Sequence, residues 1–281
     1  MTPFPVYMTE GNKLITMYTV FMSSIAGLPA SAQEFVGHIR DDLPTIIPDA
    51  LLGTYIHGSI AYGDFAEHRS DIDIIAVLKR PLSIAELKKL REWIEGPIMQ
   101  ASPWIKKLEM DFPVLATLIA DSKYGAPATH FQDGTLDDME AGTDGSNPIA
   151  WVGILDCGIT LYGPDPKEFV PEITEEKVIS AQKGEYDLLV KCYDDWMRQD
   201  TWNQVYVITN LCRIAYYLSE KKIASKATAT KWCLDHVPEV HQHLMTFALE
   251  HIDNTDFSLS DKVIATLPAF VQYVGTLFTN S

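Results

Sequence analysis

The sequence predicts an α+β chain: an N-terminal mixed α/β unit with a small sheet, followed by a C-terminal α-helical bundle. Three observations carry that expectation. Short apolar runs bounded by turn residues occupy the first 120 positions, and a stretch from Asp121 to Asn147 rich in Gly, Asp, Thr and Pro has no sustained period. Beyond it, six runs repeat apolar residues at i, i+3 and i+4, the signature of helices that bury one face.

From Gln33 to Leu43, Phe35, Val36, Ile39 and Leu43 recur at helical spacing, and Ser31-Ala32-Gln33-Glu34 reads as a capping box that opens this helix. Pro44 to Pro48 break the pattern. Leu51 to His57 is a short apolar strand ending in Gly58-Ser59. Asp71 to Leu78 alternates carboxylates with isoleucines and then turns fully apolar, as a buried strand does. Ser83-Ile84-Ala85-Glu86 is a second capping box, starting a helix that runs to about Glu95 before Gly96-Pro97. Leu108 to Ile119 reads as a third strand, and Asp121 to Asn147 as a long loop or lid. The helical runs are Ile149–Tyr162, Glu175–Met197, Trp202–Ser219, Ala227–Asp235, Glu239–Ile252 and Ser260–Phe278. The chain divides at residues 1–21, an N-terminal extension; 22–160, the mixed domain; and 161–281, the helical domain.

Charge and cysteine usage exclude several functions. The 281 residues carry 22 Lys and Arg against 38 Asp and Glu, a net charge of −16. Binding along a phosphate backbone draws on Lys and Arg, so nucleic acid is excluded as the expected partner. An acidic surface steers cations instead. Cys157, Cys192, Cys212 and Cys233 form no C-x-x-C pair and have no His at ligand spacing, which argues against a zinc site or a disulfide framework. Lys13 followed by the apolar run Leu14–Leu28 and Ala30-Ser31-Ala32 imitates a secretory signal peptide. That run is too short to span a membrane, and its would-be cleavage site doubles as a helix start. The expectation is a cytoplasmic monomer with no membrane partner.

The chemistry concentrates between Gly58 and Asp73. Gly58-Ser59 ends a strand and opens a helical turn, whose free N–H groups favour an anion. Asp71 and Asp73 stand two apart on the next strand, so both carboxylates leave one face. Two anions that close call for a cation, and hard oxygen ligands beside a phosphate suit Mg²⁺. The third strand adds Glu109 and Asp111, again two apart. An isolated D-x-D is a solvated strand edge; joined to a Gly-Ser turn and a second carboxylate strand, it becomes a site for phosphoryl or nucleotidyl transfer. There a metal neutralises phosphate charge and a further carboxylate takes the proton of the attacking hydroxyl.

The segment from Gly58-Ser59 to Asp73 resembles the signature of the polymerase-β-like nucleotidyltransferase superfamily. Asn210-Leu211-Cys212-Arg213-Ile214-Ala215-Tyr216-Tyr217, Lys222-Ile223-Ala224-Ser225-Lys226, Trp232 and Pro238 resemble the helical domain of the streptomycin/spectinomycin adenylyltransferases, bacterial enzymes that place AMP on an aminoglycoside hydroxyl. Ile159 to Pro164 is similar to that family's stretch between domains, and Phe270 to Val274 to its last helix. The resemblance covers roughly residues 33 to 280.

That resemblance implies a Mg²⁺-dependent enzyme with ATP as co-substrate and a cationic aminocyclitol as acceptor. Gly58, Ser59 and Ser70 would meet the triphosphate, Asp71 and Asp73 would hold Mg²⁺, and Glu109 would be the general base. Arg213 and Lys226, thirteen residues apart as in the family, would reach the ATP phosphates. Asp194, Trp196, Asp200, Trp202 and Asn203 have the types or positions of the family's drug-binding segment, with Asp195 beside them. Two departures stand out: Lys123 to Gly145 lacks the family's tryptophan, and Asn203 stands where the family has an aspartate. The alternative acceptors are another small metabolite or a protein, and a non-catalytic nucleotide-binding regulator would normally have lost a metal carboxylate.

Overall fold

In the computed structural model, which describes residues 25–119, 127–140, 144–253 and 258–279, the first helix already departs from its expected start. Helix α1 (Ala30–Ile46) begins after Pro29, whose residue type fixes an extended entry, and no side chain caps it. Ser31 therefore lies inside the first turn, where its hydroxyl accepts the indole N–H of Trp104 at 3.0 Å. The capping box expected at Ser31–Glu34 does not form. The expected N-terminal extension, residues 1–21, lies outside the described residues.

Six strands follow among the described residues, interspersed with helices: β1 (Leu51–Ile56), the short turn of helix α2 (Gly58–Tyr62), β2 (Ile72–Leu78), α3 (Ile84–Ile94), β3 (Leu108–Phe112), β4 (Ala128–Gln132), β5 (Thr135–Glu140), α4 (Pro148–Cys157) and β6 (Ile159–Tyr162). They form one mixed sheet in the order β5-β4-β3-β2-β1-β6, in which only β2 and β3 run parallel. The crossover between those two contains α3, opened by the capping box expected at Ser83: its side chain accepts the Glu86 N–H, and Glu86 reaches back to the Ser83 N–H at 2.8 Å.

Three parts of the sheet differ from the sequence expectation. The third strand ends at Phe112, and a 3₁₀ turn occupies Leu115–Thr117. Within the stretch expected as a loop, β4 and β5 form a hairpin around Asp133-Gly134. Both of these residues have positive φ, +53° and +82°, the requirement of a two-residue turn that matches strand twist. Finally, the run expected as a helix through Tyr162 breaks at Gly158, and Ile159–Tyr162 pairs with β1.

Alternation along β2 and β3 decides what each face carries. Ile72, Ile74, Ala76 and Leu78 on β2, with Leu108, Met110 and Phe112 on β3, pack into a core with Phe35, Val36, Ile39 and Leu43 of α1. The intervening residues face the other way. On that second face Ile75, Val77 and Tyr55 pack against Trp151 and Ile154 of α4. Asp71, Asp73, Glu109 and Asp111 share it, at the end that α4 leaves open.

The second half is helical: α5 (Glu175–Trp196), α6 (Thr201–Glu220), α7 (Lys226–His236), α8 (Glu239–His251) and α9 (Asp261–Leu277). Helix α6 is the centre of this bundle, buried along Val205, Ile208, Leu211, Cys212 and Ala215 against α7, α8 and α9. Side-chain caps from Thr174, Asp200, Ser225 and Ser260 fix where four of these helices begin. All four cysteines are free, and Cys212 and Cys233 are buried. Among the described residues no helix is long and apolar enough to cross a membrane.

Candidate active site

A cleft of about 990 Å³ opens between the exposed end of the sheet's second face and the helical bundle. Its sheet-side wall holds Gly58, Ser59, Ser70, Asp71, Asp73 and Glu109, and its helical wall holds Trp196, Trp202, Asn203, Arg213 and Lys226. Residues separated by more than a hundred positions thus share one cavity.

The turn after β1 is shaped by the strand beside it. Gly58 has φ +64°, and a β-carbon there would stand 1.9 Å from Asp73 Oδ2. Only glycine admits this approach. The backbone N–H of His57 donates to the carbonyl of Asp73 at 3.0 Å, tying turn to strand. The Ser59 hydroxyl is buried with no partner. A buried hydroxyl so orphaned calls for a partner that the chain itself does not supply. Ser70 Oγ accepts the Ala66 N–H at 3.0 Å, which closes the loop leading into β2.

Register places the carboxylates against one another. Asp73 pairs directly with Glu109 across the parallel β2–β3 ladder, and Asp111 sits one step further in, opposite Ile75. Burial, reinforced by the neighbouring Asp144 and Asp71, pushes Asp73 up to about 7. Burial, reinforced by Asp73, Asp71 and Asp144, likewise pushes Glu109 up to about 7. Asp71 is raised, chiefly by burial, with Lys107 and Lys226 pulling it down. Among the described residues no group of three or more His, Cys, Asp or Glu is arranged to hold a metal. The donor set at Asp71 and Asp73 nonetheless fits a hard divalent cation whose remaining ligands come from a phosphate.

Glu109 and Asp111 have different surroundings. Asp111 is buried and lies 2.5 Å from His130 Nδ1 on β4. Burial raises its carboxyl while the His130 hydrogen bond opposes that rise. Glu109 faces the cleft and accepts a hydrogen bond from Gln132 Nε2 at 2.5 Å.

The helical wall brings cations and aromatics. Lys226 begins α7, its ammonium 4.9 Å from the centre of the Tyr206 ring. Desolvation, then Arg213 and Arg69, bring it down to about 8, with Asp73 and Asp71 opposing. Arg213 Nη1 lies 3.4 Å from Asn210 Oδ1 and faces the cavity. Trp202 stacks on Tyr206 with ring centres 5.4 Å apart, and Trp196 meets the same tyrosine edge-on at 5.8 Å. From the opposite wall, Arg69 lies 5.8 Å from the Trp202 ring centre and donates to the carbonyl of His251 at 3.3 Å.

The expected acidic contribution from the α5–α6 connection is absent from this cavity. Asp194 is an exposed residue whose carboxylate pairs with Arg198 at 3.0 Å, and Asp195 is exposed beside it. Asp200 caps α6, accepting the Asn203 N–H at 2.7 Å. Asp194 thus serves a surface ion pair and Asp200 a helix cap. Besides the carboxylates already named, Asp64, Asp144, Asp253 and Glu185, three turns before Trp196 on α5, line the cleft, together with Gln182, Asn147, Tyr62 and Tyr206. Glu185 escaped the sequence reading because it lies in an ordinary polar run of an amphipathic helix.

Both halves of the chain match known families. Residues 38–120 match the nucleotidyltransferase domain, so the sheet half is that of a nucleotidyltransferase. Residues 170–276 match the aminoglycoside adenylyltransferase C-terminal domain. The chain belongs to the aminoglycoside adenylyltransferase family and is an enzyme of that class. A curated relative, spectinomycin 9-adenylyltransferase of Campylobacter jejuni, is 26% identical over 218 residues, covering 73% of this chain and 80% of its own. The fold matches that of spectinomycin adenyltransferase AAD(9) from Enterococcus faecialis, solved with ATP and spectinomycin, at a TM-score of 0.68 and 18% identity, over 88% of this chain and 98% of that one.

Proposed function

We propose that the enzyme transfers AMP from ATP to a hydroxyl of a spectinomycin-type aminocyclitol, with Mg²⁺ held by Asp71 and Asp73. The observation that carries this reading is the facing of two sets of groups. The Gly58-Ser59 turn and three carboxylates stand on one wall, and Arg213, Lys226 and an aromatic cluster on the other. Both named relatives act on spectinomycin by their names, which favours it over streptomycin as the acceptor.

Mg²⁺ bound at Asp71 and Asp73 supplies charge neutralisation at the phosphate oxygens. The chain's own groups do the rest. The Ser59 hydroxyl donates to a phosphate oxygen, and Lys226 and Arg213 bring positive charge to the developing pyrophosphate from the helical side. Glu109, raised towards neutrality, accepts the acceptor hydroxyl's proton as that oxygen attacks the α-phosphorus. The O–P bond to AMP forms as the bond to pyrophosphate breaks. Trp196, Trp202 and Tyr206 offer faces to the drug's ring and cationic groups, Asn203 a hydrogen bond, and Glu185 and Asp144 negative charge.

Pyrophosphate release tests the reading. It should require Mg²⁺, ATP and the aminocyclitol together. Release at the same rate without any acceptor would contradict it.

A further inference from the structure

The hairpin that the sequence conceals reaches Glu109 through a chain of three side chains. Asp111 on β3 faces His130 on β4 in the antiparallel register, with its carboxylate 2.5 Å from Nδ1. The other ring nitrogen of His130, Nε2, lies 3.3 Å from Gln132 Oε1, two residues along the same strand and on the same face. Gln132 Nε2 in turn donates to Glu109 Oε1 at 2.5 Å. Asp111 is buried and His130 half-buried, with side chains 6% and 13% exposed, whereas Gln132 is at the cleft.

Each link fixes the next. Nδ1 must carry a hydrogen to satisfy the Asp111 carboxylate. Burial works against the charged ring, but the hydrogen bond and charge of Asp111 outweigh it and hold His130 at about 9. Nε2 is therefore also a donor at neutral pH. Gln132 can then present only its carbonyl oxygen to the ring, and its NH₂ must point to Glu109. With the amide reversed, two donors would face each other at one end and two acceptors at the other.

We propose that Asp111, His130 and Gln132 form a positioning relay that holds Glu109 Oε1 in place and leaves Oε2 facing the acceptor hydroxyl. The proposal rests on the reading of Glu109 as the base. Neither Asp111 nor His130 lines the cleft; both act through Gln132. The relay gives a task to the charged pair Asp111–His130, whose side chains are at most 13% exposed. A base must sit within hydrogen-bond reach of its proton, and small displacements from that geometry cost large factors in rate.

The test compares five variants of the full-length enzyme under saturating Mg²⁺-ATP and aminocyclitol. Gln132→Leu should lower kcat at least about tenfold, below the roughly 10²-fold cost of a 1 Å misplacement, with KM for both substrates within about twofold. Two His130 substitutions separate positioning from support. His130→Asn places an amide where Nδ1 was and keeps a donor for Asp111; His130→Gln places one where Nε2 was and keeps a donor for Gln132. The relay requires His130→Asn to match Gln132→Leu, and His130→Gln, which severs only the link to Asp111, to fall measurably below the wild type yet stay above both. A purely structural histidine gives the reverse order, tracked by melting temperature. The double variant His130→Asn/Gln132→Leu should be no slower than Gln132→Leu alone, since members of one chain are not additive.

Wild-type kcat in Gln132→Leu, or a raised KM with kcat intact, overturns the relay while a dead Glu109→Gln leaves the base in place. Glu109→Gln retaining turnover overturns the base reading and the relay with it.

Discussion

The carboxylate of Asp73 lies over the α-carbon of Gly58, so close that a β-carbon at residue 58 would stand 1.9 Å from Oδ2. The turn before the helix and the strand after it are therefore one structural unit. Gly58→Ala should both strain the backbone at φ +64°, by about 1–2 kcal/mol, and push Asp73 off its position. Transfer should fall by about 10²-fold or more while melting temperature drops only modestly. A variant that loses stability without losing turnover would show that the contact is structural alone.

Asp71→Asn and Asp73→Asn should each abolish transfer with the fold intact, because neither side chain belongs to an apolar core. Glu109→Gln should still bind nucleotide and acceptor, yet lose on the order of 10² to 10⁴ in rate. Steady-state kinetics beside circular dichroism check all three. A well-folded Asp73→Asn enzyme with near wild-type turnover would sink the metal assignment.

Stability should depend on pH through His130. Its pKa is raised from 6.5 when free to about 9 when folded, so its contribution is fully present below about pH 6.5 and is lost as pH rises through about 9. Deprotonation also leaves Asp111 buried without a charged partner. The melting temperature of the wild type should fall across that window. Asp111→Asn/His130→Gln should show a flatter profile there; an unchanged slope in that double variant would assign the pH dependence elsewhere.

Much of this was legible in the sequence, and the exceptions have physical causes. The Ser83–Glu86 capping box forms as read, whereas Ser31–Glu34 does not, because Pro29 starts that helix two residues earlier and Trp104 takes the serine hydroxyl. The carboxylates were readable because strand alternation puts Asp71, Asp73 and Glu109 on one face. The hairpin was hidden because β4 and β5 are short and each carries only two apolar residues, although Asp133-Gly134 is itself a strong hairpin signal. Asp194 and Asp200 have the residue type expected of the drug-binding segment, yet neither lines the cleft. Residue type said acidic, but which way a helix end turns depends on packing that no local pattern encodes.

Acceptor recognition should lean on the aromatic wall and on Glu185. Trp202→Ala should raise the acceptor KM by roughly 2- to 30-fold, the range of a cation–π contact worth about 0.5–2 kcal/mol, with the ATP KM unmoved. Glu185→Gln should weaken binding and flatten its salt dependence, whereas Asp194→Asn should do neither, since Glu185 lines the cleft and Asp194 does not. Equal effects of the two acidic substitutions would return the drug site to the α5–α6 connection.

Because Arg213 and Lys226 come from the helical half, nucleotide should bind first and complete the acceptor's site. Titrating the aminocyclitol into Glu109→Gln enzyme by calorimetry should give tighter binding with Mg²⁺-ATP present than without it. Equal affinities would defeat this ordered closure. Lys226→Ala should cost nucleotide affinity by about 10- to 10²-fold, the loss of one charge-assisted hydrogen bond.

The central claim is that this cleft places AMP on an aminocyclitol hydroxyl. Mass spectrometry of the acceptors answers it most directly: wild-type and Asp73→Asn enzymes are each incubated with Mg²⁺-ATP and an equimolar mixture of spectinomycin and streptomycin. The account predicts a mono-adenylylated spectinomycin from the wild type and none from Asp73→Asn. Unmodified drugs from active, ATP-binding wild type, or equal product from both enzymes, would contradict it.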